Sequence, residues 1–199
     1  MAAASGVKRT RVGYCGGTTP NPTYRKVCSD KAFGDWAEAV QVDFDPSIIS
    51  YEALVGVFFK SHEPGMCGSK RQYMSGIFAH TAEQFEAAQK VLEAEKDKRK
   101  GRLGTSLEMA TDFYSAELYH QKWLLQRKSD WFKAVALQDG EHLLDSEAAC
   151  KVNAFVAGHL PASTLRDELD RMAQSEQLDK GVWSSLRTKL RLEGCEGDD

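Results

Sequence analysis

The sequence has no hydrophobic run long enough to cross a membrane and no strong excess of charge of either sign. Its 199 residues carry 26 Lys and Arg against 29 Asp and Glu, a formal net charge of −3. A spanning helix needs about 20 consecutive apolar residues, and nucleic-acid-binding domains present a basic surface. The first residues also lack the apolar segment of a secretory signal. We therefore expect neither a membrane nor a nucleic acid among the partners of this protein.

The cysteines are few and dispersed. They stand at positions 15, 28, 67, 150 and 195 and form no C-x-x-C pair. Together with the five scattered histidines they show no zinc-ligand spacing, so we expect no metal site. An odd, dispersed set of cysteines in a chain without a secretory signal is typical of a reducing compartment. This pattern predicts the cytoplasm, with an organelle such as a plastid or mitochondrion as the alternative.

A strand followed by a rigid turn stands near the start of the chain. Residues 8–14 are rich in β-favouring side chains, and Gly16 and Gly17 end the run. Pro20 and Pro22 then hold the next residues as extended backbone. This turn carries Tyr24 away from the strand, next to the start of a second strand.

The second strand is predicted over residues 37–44, where apolar and polar side chains alternate. Glu38 lies on the same face as Val40, Val42 and Phe44, so we expect its carboxyl to enter an apolar core. A carboxyl group in that place needs a partner or a proton, because burial of an unpaired charge is costly. Two interpretations stay open from the pattern alone, an ion-paired core carboxylate and a proton donor at an active site.

The rest of the chain divides near residue 125. Before that point the pattern predicts a helix that begins after Ser50, a strand over residues 71–78, a helix that begins after Thr81, and a strand over residues 107–111. After that point the pattern is helical only, and we expect a packing appendage. Its three apolar stripes are Val152–Phe155–Val156, ended by Gly158; Leu165–Leu169–Met172; and Val182–Leu186–Leu190.

Several short motifs resemble those of the methionine sulfoxide reductase A family, the peptide-methionine (S)-S-oxide reductases. They follow the family's order and spacing across roughly residues 6–125, about three-fifths of the chain. The matching pieces are Arg-Val-Gly-Tyr-Cys-Gly-Gly-Thr (11–18), Pro-Asn-Pro-Thr-Tyr-Arg (20–25), Ala-Glu-Ala-Val (37–40), Asp-Pro-Ser-Ile-Ile-Ser-Tyr-Glu (45–52), Gln-Tyr-Met-Ser (72–75) and Ala-Glu-Leu-Tyr-His-Gln-Lys (116–122).

The resemblance implies an α+β fold, a ferredoxin-like two-layer sandwich that is incomplete at its N-terminus. It implies a reductase-like domain over residues 6–125 and a helical C-terminal extension over residues 126–199. In the family, the first strand ends in a Gly-Cys-Phe-Trp-Gly motif whose cysteine is the nucleophile. The chain has no such motif, so we expect it to lack the first strand and helix together with that cysteine.

The resemblance also assigns the site. Reduction of a sulfoxide needs a thiolate that attacks sulfur and an acid that protonates the oxygen. Glu38 matches the family's acid, and Tyr24 and Tyr73 match the tyrosines that bind the sulfoxide oxygen. The implied substrate is oxidised methionine, in proteins or free, so the role is protein repair under oxidative stress. The implied protein is a monomer with no bound cofactor that uses thioredoxin or another thiol as reductant.

The chain departs from the family pattern at several positions. Trp36 stands where many members have histidine, and the run before Tyr73 lacks the family's aspartate. We expect Cys15 and Cys28 to be spectator thiols, and we do not expect Cys195 to be a resolving thiol. Three hypotheses remain open: a reductase truncated at its start, a non-catalytic descendant that binds oxidised methionine or a protein partner, and a fragment without activity.

Overall fold

Two small β-sheets form the strand part of the fold, and one of them carries Glu38. The computed structural model describes residues 1–29, 31–65, 70–135 and 140–192, with the backbone alone for residues 140–142. One sheet has the strand order β2-β1-β5 and the other pairs β3 with β4. The strands are β1 (Val7–Cys15), β2 (Ala37–Phe44), β3 (Gly76–Ala79), β4 (Ser106–Met109) and β5 (Tyr114–Ser115).

The two sheets differ in strand direction. Strands β1 and β5 are antiparallel, with Gly13 opposite Ser115 and Tyr14 opposite Tyr114. Strands β3 and β4 are parallel, and Gly76 lies opposite Ser106. Parallel neighbours need a crossover, which the long helix between them supplies. Nine α-helices lie within the described residues: α1 (Tyr24–Ser29), α2 (Tyr51–Lys60), α3 (Ala82–Lys98), α4 (Trp123–Gln126), α5 (Ser129–Ala134), α6 (Gly140–Asp145), α7 (Glu147–Val156), α8 (Ala162–Gln174) and α9 (Lys180–Leu192).

The chain divides into two units. The first consists of Met1 with Arg11–Glu117, and the second consists of Ala2–Thr10 with the chain from Leu118 onward. In the first unit, helices α2 and α3 begin at the predicted caps. The Ser50 hydroxyl accepts a hydrogen bond from the Ala53 amide, and the Thr81 hydroxyl accepts one from the Gln84 amide, each at 3.2 Å. Such caps satisfy amides that have no partner within the helix.

The second unit is helical and has its own core. All three predicted stripes lie on helices, and Leu165, Leu169 and Leu186 are fully buried. Gly158 ends α7 with a φ of +74°, the left-handed conformation that favours glycine at this position. The buried Lys151 forms an ion pair with Glu168 at 3.1 Å, so this core also contains a compensated charge.

The predicted strand over residues 71–78 is wrong in its first half. Residues Arg71–Tyr73 form a 3₁₀ helix, and only Gly76–Ala79 is a strand. The cause is tertiary. The Arg71 side chain is held by Glu108 and by the Asp35 carbonyl, which are far away along the sequence.

The chain after residue 122 also contains three short helices, α4 to α6, that the three predicted apolar stripes did not indicate. Among the described residues, no helix has the length and apolar character that a membrane span requires.

Candidate active site

Tyr24 is placed by a carboxylate that joins two segments. The Tyr24 amide donates to Glu117 Oε1 at 2.9 Å, and the Tyr14 hydroxyl donates to Glu117 Oε2 at 3.1 Å. Glu117 therefore connects the first turn of α1 to the buried end of β1. Tyr24 is the first residue of α1, and Cys28 follows four residues later. Residues four apart lie on the same face of a helix, so α1 presents the phenol and the thiol together.

Gln72 joins that thiol to the predicted acid. Its Nε2 donates to Glu38 Oε1 at 2.7 Å and to Cys28 Sγ at 3.0 Å. The Gln72 side chain is only 4% exposed. Its Oε1 is buried and has no hydrogen-bond partner among the described residues. The Gln72 amide nitrogen thus binds both the Glu38 carboxyl and the Cys28 sulfur. The amide oxygen of Gln72 accepts no hydrogen bond from the described residues.

The two predicted tyrosines border the same place. Tyr24 is 42% exposed and Tyr73 is 59% exposed. A hydrogen bond with Cys28 and the negative charge of its thiolate raise the pKa of Tyr24, with smaller contributions from burial, from Glu38 and from Tyr73. The structure therefore brings together all three residues predicted from the sequence. We call this group, with Cys28 and Gln72 added, the Tyr24 cluster.

Glu38 is not in a core as expected. It is exposed, and its neighbour on the same strand face, Val40, is 45% exposed. The alternation along β2 is present, but β2 is an edge strand of its sheet, and an edge strand receives less cover than a central one. Glu38 is paired with the amide of Gln72 instead of with a buried cation.

A cavity of about 270 Å³ opens beside Glu38. Its walls come from β2, α2 and β3 and are largely apolar, with Val40, Phe44, Phe58 and Phe78 among them. A pocket with apolar walls and a few polar groups is typical of a small-ligand site.

Arg71 supports the segment that carries Gln72 and Tyr73. Its guanidinium forms a fork with Glu108, at 3.0 Å to Oε1 and 2.5 Å to Oε2. Its Nε donates to the Asp35 carbonyl at 2.8 Å. The hydrogen bond to Glu108 and the negative charge of Glu108 raise the pKa of Arg71. These contacts hold the 3₁₀ helix against β4 and against the turn before β2.

Trp36 packs where many family members have histidine. It is buried, its indole Nε1 donates to the Thr19 carbonyl at 3.0 Å, and its ring packs edge-on against Tyr114 at 5.3 Å. A Cβ at Gly17 would lie 2.3 Å from the indole ring. The second glycine of the Gly-Gly turn is thus required by the tryptophan that precedes β2.

Asp35 fixes the same turn. The Thr18 amide and hydroxyl donate to Asp35 Oδ2 at 2.6 and 3.0 Å. Burial acts to raise the pKa of Asp35, but the hydrogen bonds from Thr18 outweigh it and hold the pKa below its ordinary value. The start of β2, and with it Glu38, is therefore tied to the Gly-Gly turn.

Sequence reasoning missed four residues that build the site. Gln72 and Ser75 lie in the Gln-Tyr-Met-Ser motif and Glu117 in the Ala-Glu-Leu-Tyr-His-Gln-Lys motif, so their place in matched motifs was the available signal. His62 had no such signal. Its Nε2 hydrogen-bonds with Ser75 Oγ at 2.7 Å on the cavity wall, and its Nδ1 with the Phe58 carbonyl at 2.9 Å.

The described cysteines differ in accessibility. Cys15, Cys28 and Cys150 are free thiols, and only Cys28 of these three is partly exposed. Burial raises the pKa of Cys150. Cys67, Cys195 and the first part of the run before Tyr73 lie outside the described residues. Within the described ranges, no group of three or more His, Cys, Asp or Glu side chains is arranged to hold a metal ion.

Fold and site together define an α+β protein in which a carboxyl, two phenols and a thiol meet beside an apolar cavity. The model of the family "Peptide methionine sulfoxide reductase" matches residues 1–151. The chain belongs to the peptide methionine sulfoxide reductase family, as the resemblance predicted.

Individual relatives agree with this assignment. The chain is 38% identical over 158 residues to a peptide methionine sulfoxide reductase of Drosophila melanogaster, which covers 78% of the chain and 61% of the relative. It is 45% identical over 131 residues to one of Pectobacterium atrosepticum, covering 60% of each. The chain thus spans about three-fifths of the length of these two relatives.

Solved structures give the same result. The reduced form of Mxr1 from Saccharomyces cerevisiae matches with a TM-score of 0.55 and 30% identity, over 62% of this chain and 73% of that one. Methionine sulfoxide reductase A of Corynebacterium diphtheriae matches with a TM-score of 0.54 and 31% identity, over 62% of this chain and 65% of that one. The mixed helix-and-sheet fold agrees with the expected α+β class.

Proposed function

We propose that this protein reduces methionine sulfoxide in proteins in a thiol-dependent reaction. The observation that carries the proposal is the Gln72 amide, which holds the Glu38 carboxyl and the Cys28 sulfur on one nitrogen, next to the phenol of Tyr24. A sulfoxide oxygen leaves sulfur only when it is protonated, so an acid and hydrogen-bond donors must meet where the thiol attacks.

The proposed roles are those that the family resemblance assigned to these residues. Glu38 supplies the proton to the sulfoxide oxygen, and the hydroxyls of Tyr24 and Tyr73 donate hydrogen bonds to that oxygen. The apolar wall beside Glu38 takes the methyl group of the substrate. The attacking thiol becomes a sulfenic acid, which thioredoxin or another thiol reduces. The exposure of both phenols suits a substrate that is part of a protein surface.

We also propose a detailed fold, an oligomeric state and a compartment for this protein. Helices α2 and α3 with the two small sheets are consistent with a ferredoxin-like two-layer sandwich, which a helical extension follows in the sequence. The protein acts as a monomer without a bound cofactor and takes part in protein repair under oxidative stress. Its free thiols suit a reducing compartment, the cytoplasm or an organelle.

The test is the reduction of a peptide that contains methionine sulfoxide, with dithiothreitol as the reductant and separate (S) and (R) sulfoxide epimers. Glu38→Gln should abolish methionine formation and Tyr24→Phe should reduce it, while Tyr119→Phe, which alters an exposed phenol outside the Tyr24 cluster, should leave it unchanged. No turnover of either epimer by the unsubstituted protein would contradict a reductase function.

A non-catalytic methionine-sulfoxide-binding or protein-binding module is the second candidate. The exposed phenols and the apolar cavity need no thiol to bind a sulfoxide. Binding should then favour the oxidised peptide over its reduced form, and Tyr24→Phe should weaken that preference. Equal affinity for the two peptides would exclude sulfoxide recognition.

A further inference from the structure

The helical unit contains a second cavity, of about 480 Å³, that the proposed function does not use. Its apolar part is aromatic, because Trp131 lines it and packs against Phe155 with 5.0 Å between the ring centroids. Among the described residues that line the cavity, three are basic and one is acidic: Arg127, Lys128, Lys189 and Asp130. We call this cavity the Trp131 cleft.

An exposed indole adjoins the Trp131 cleft. The Trp123 side chain is 52% exposed, and the Arg127 guanidinium lies over its ring at 4.6 Å from the centroid. Arg127 also lines the cleft, so the indole and the cleft form one continuous surface. Tryptophan and arginine are enriched among the side chains that contribute most to protein–protein binding. The surface therefore has the composition of an interaction site.

Positive charge is concentrated in this cleft. Within the described part of the chain, neither Arg127 nor Lys128 forms an ion pair. Lys189 Nζ lies 3.7 Å from Asp130 Oδ2, and the Asp130 side chain is largely exposed, so this pair is loose and contributes little. The whole chain carries a net charge of −3, so the positive charge is a local property. Such a cleft favours a ligand that carries carboxylates.

We propose that the Trp131 cleft binds an acidic segment of a partner protein. One apolar side chain of the segment packs against Trp131 and Phe155, and carboxylates on either side of it pair with the three basic residues. A planar guanidinium such as that of Arg127 binds a carboxylate through two parallel hydrogen bonds. The net negative charge of the chain repels a long polyanion such as a nucleic acid more than it repels a short segment with few charges.

Asp130 occupies the position that a carboxylate of the partner takes. It lies beside Lys189 and is held there only by the loose ion pair. A ligand carboxylate must therefore compete with Asp130 for the ammonium. Removal of this competitor should strengthen binding, whereas removal of a basic residue should weaken it.

The test is a fluorescence-anisotropy titration of the full chain against a fluorescein-labelled peptide, Gly-Asp-Glu-Phe-Glu-Asp-Gly. Lys128→Glu should weaken binding by at least about 5-fold, and Asp130→Asn should tighten it by about 2- to 5-fold. A peptide with glycine in place of phenylalanine should bind about 10-fold more weakly, since it buries no apolar side chain. Affinity should fall between about 0.1 M and about 1 M salt, because the screening length drops from about 10 to about 3 Å.

Lys90→Glu is the matched control, because it makes the same charge change on α3 in the first unit and should leave the affinity unchanged. Lys90 and Lys128 are both exposed, so neither substitution removes core packing. The titration contains no sulfoxide and no reductant, so its result is independent of the reductase function.

Four results would overturn the proposal. The first is the absence of saturable binding at up to about 1 mM peptide. The second is equal binding of the uncharged peptide Gly-Asn-Gln-Phe-Gln-Asn-Gly, and the third is an equal loss of affinity in Lys90→Glu and Lys128→Glu. The fourth is tighter binding of a single-stranded oligothymidylate of equal charge, which would assign the surface to nucleic acid.

Discussion

Gln72 Nε2 lies 2.7 Å from Glu38 Oε1, although 34 residues separate the two in the sequence. This bond connects a 3₁₀ helix to an edge strand and helps to determine where the Glu38 carboxyl lies. The carboxyl is exposed, so the buried amide of Gln72 is the protein group that fixes its orientation. Activity should therefore depend on Gln72 as well as on the residues that support it.

Replacement of the amide tests this dependence. Gln72→Leu keeps the approximate volume and removes a buried oxygen that has no partner among the described residues, so the free energy of unfolding should change by less than about 1.5 kcal/mol. The value of kcat/KM for a methionine-sulfoxide peptide should fall by about 10- to 100-fold, because the carboxyl and the thiol lose their common donor. Gln89→Leu, on the exposed face of α3, is the control and should retain full activity. Full activity of Gln72→Leu would contradict an orienting role.

The fork between Arg71 and Glu108 should contribute to the stability of the folded protein. Arg71→Lys keeps the charge but cannot reproduce the two parallel bonds to Glu108 together with the bond to the Asp35 carbonyl. Since these groups are partly exposed, the expected loss in the free energy of unfolding is about 1 kcal/mol, measured by urea denaturation. The exposed Lys70→Arg substitution next to it should have no effect.

The phenol of Tyr24 should titrate above its ordinary pKa of about 10. The hydrogen bond with Cys28 favours the neutral phenol, and the charge of the Cys28 thiolate disfavours a second negative charge on the Tyr24 oxygen. Cys28→Ala removes both causes and should lower the pKa of Tyr24. Ultraviolet difference titration measures this, and Tyr24→Phe identifies the signal. Tyr119→Phe should leave the shifted transition in place. An unchanged Tyr24 titration in Cys28→Ala would show that the two side chains do not interact.

The close approach of Trp36 to Gly17 predicts a large difference between two glycine substitutions. Gly17→Ala places a methyl group 2.3 Å from the buried indole, and the displacement of the ring should cost about 2–3 kcal/mol of stability. Gly56→Ala, on α2, meets no atom within 4 Å and should stabilise the protein by about 0.5–1 kcal/mol, since alanine favours a helix. Thermal unfolding of the two variants measures both values.

Asp35 should contribute to an acid transition of the first unit. Its pKa in the folded protein lies below the ordinary value of about 3.9. Its stabilising contribution is therefore complete above about pH 4 and is lost as the pH falls through the lower, folded-state pKa. Asp35→Asn should destabilise the protein at neutral pH, and the difference between the two proteins should shrink as the pH falls below 4. A difference that stays constant from pH 7 to pH 2 would contradict this linkage.

The local features of the fold were predictable because they depend on residues close together in the chain. The caps at Ser50 and Thr81 need only an amide three residues later, and the end of α7 at Gly158 needs one residue with a positive φ. The strand over residues 37–44 follows from alternation alone. The sequence motifs also identified Glu38 as a candidate acid before its surroundings were known.

The exposure of Glu38 and the contact of Cys28 with Gln72 were decided by the tertiary structure. Periodicity identifies which side chains share a strand face, but it does not state what covers that face, and β2 is an edge strand. The contact of Cys28 with Gln72 joins residues that are 44 apart, and the fork of Arg71 with Glu108 joins residues that are 37 apart. Such pairs form only when the whole chain packs, because neither partner changes the local conformational preference of the other. The sequence by itself determined the strand over residues 37–44 and the helix caps, because these depend on residues close together in the chain, and long-range packing decided which groups surround Glu38.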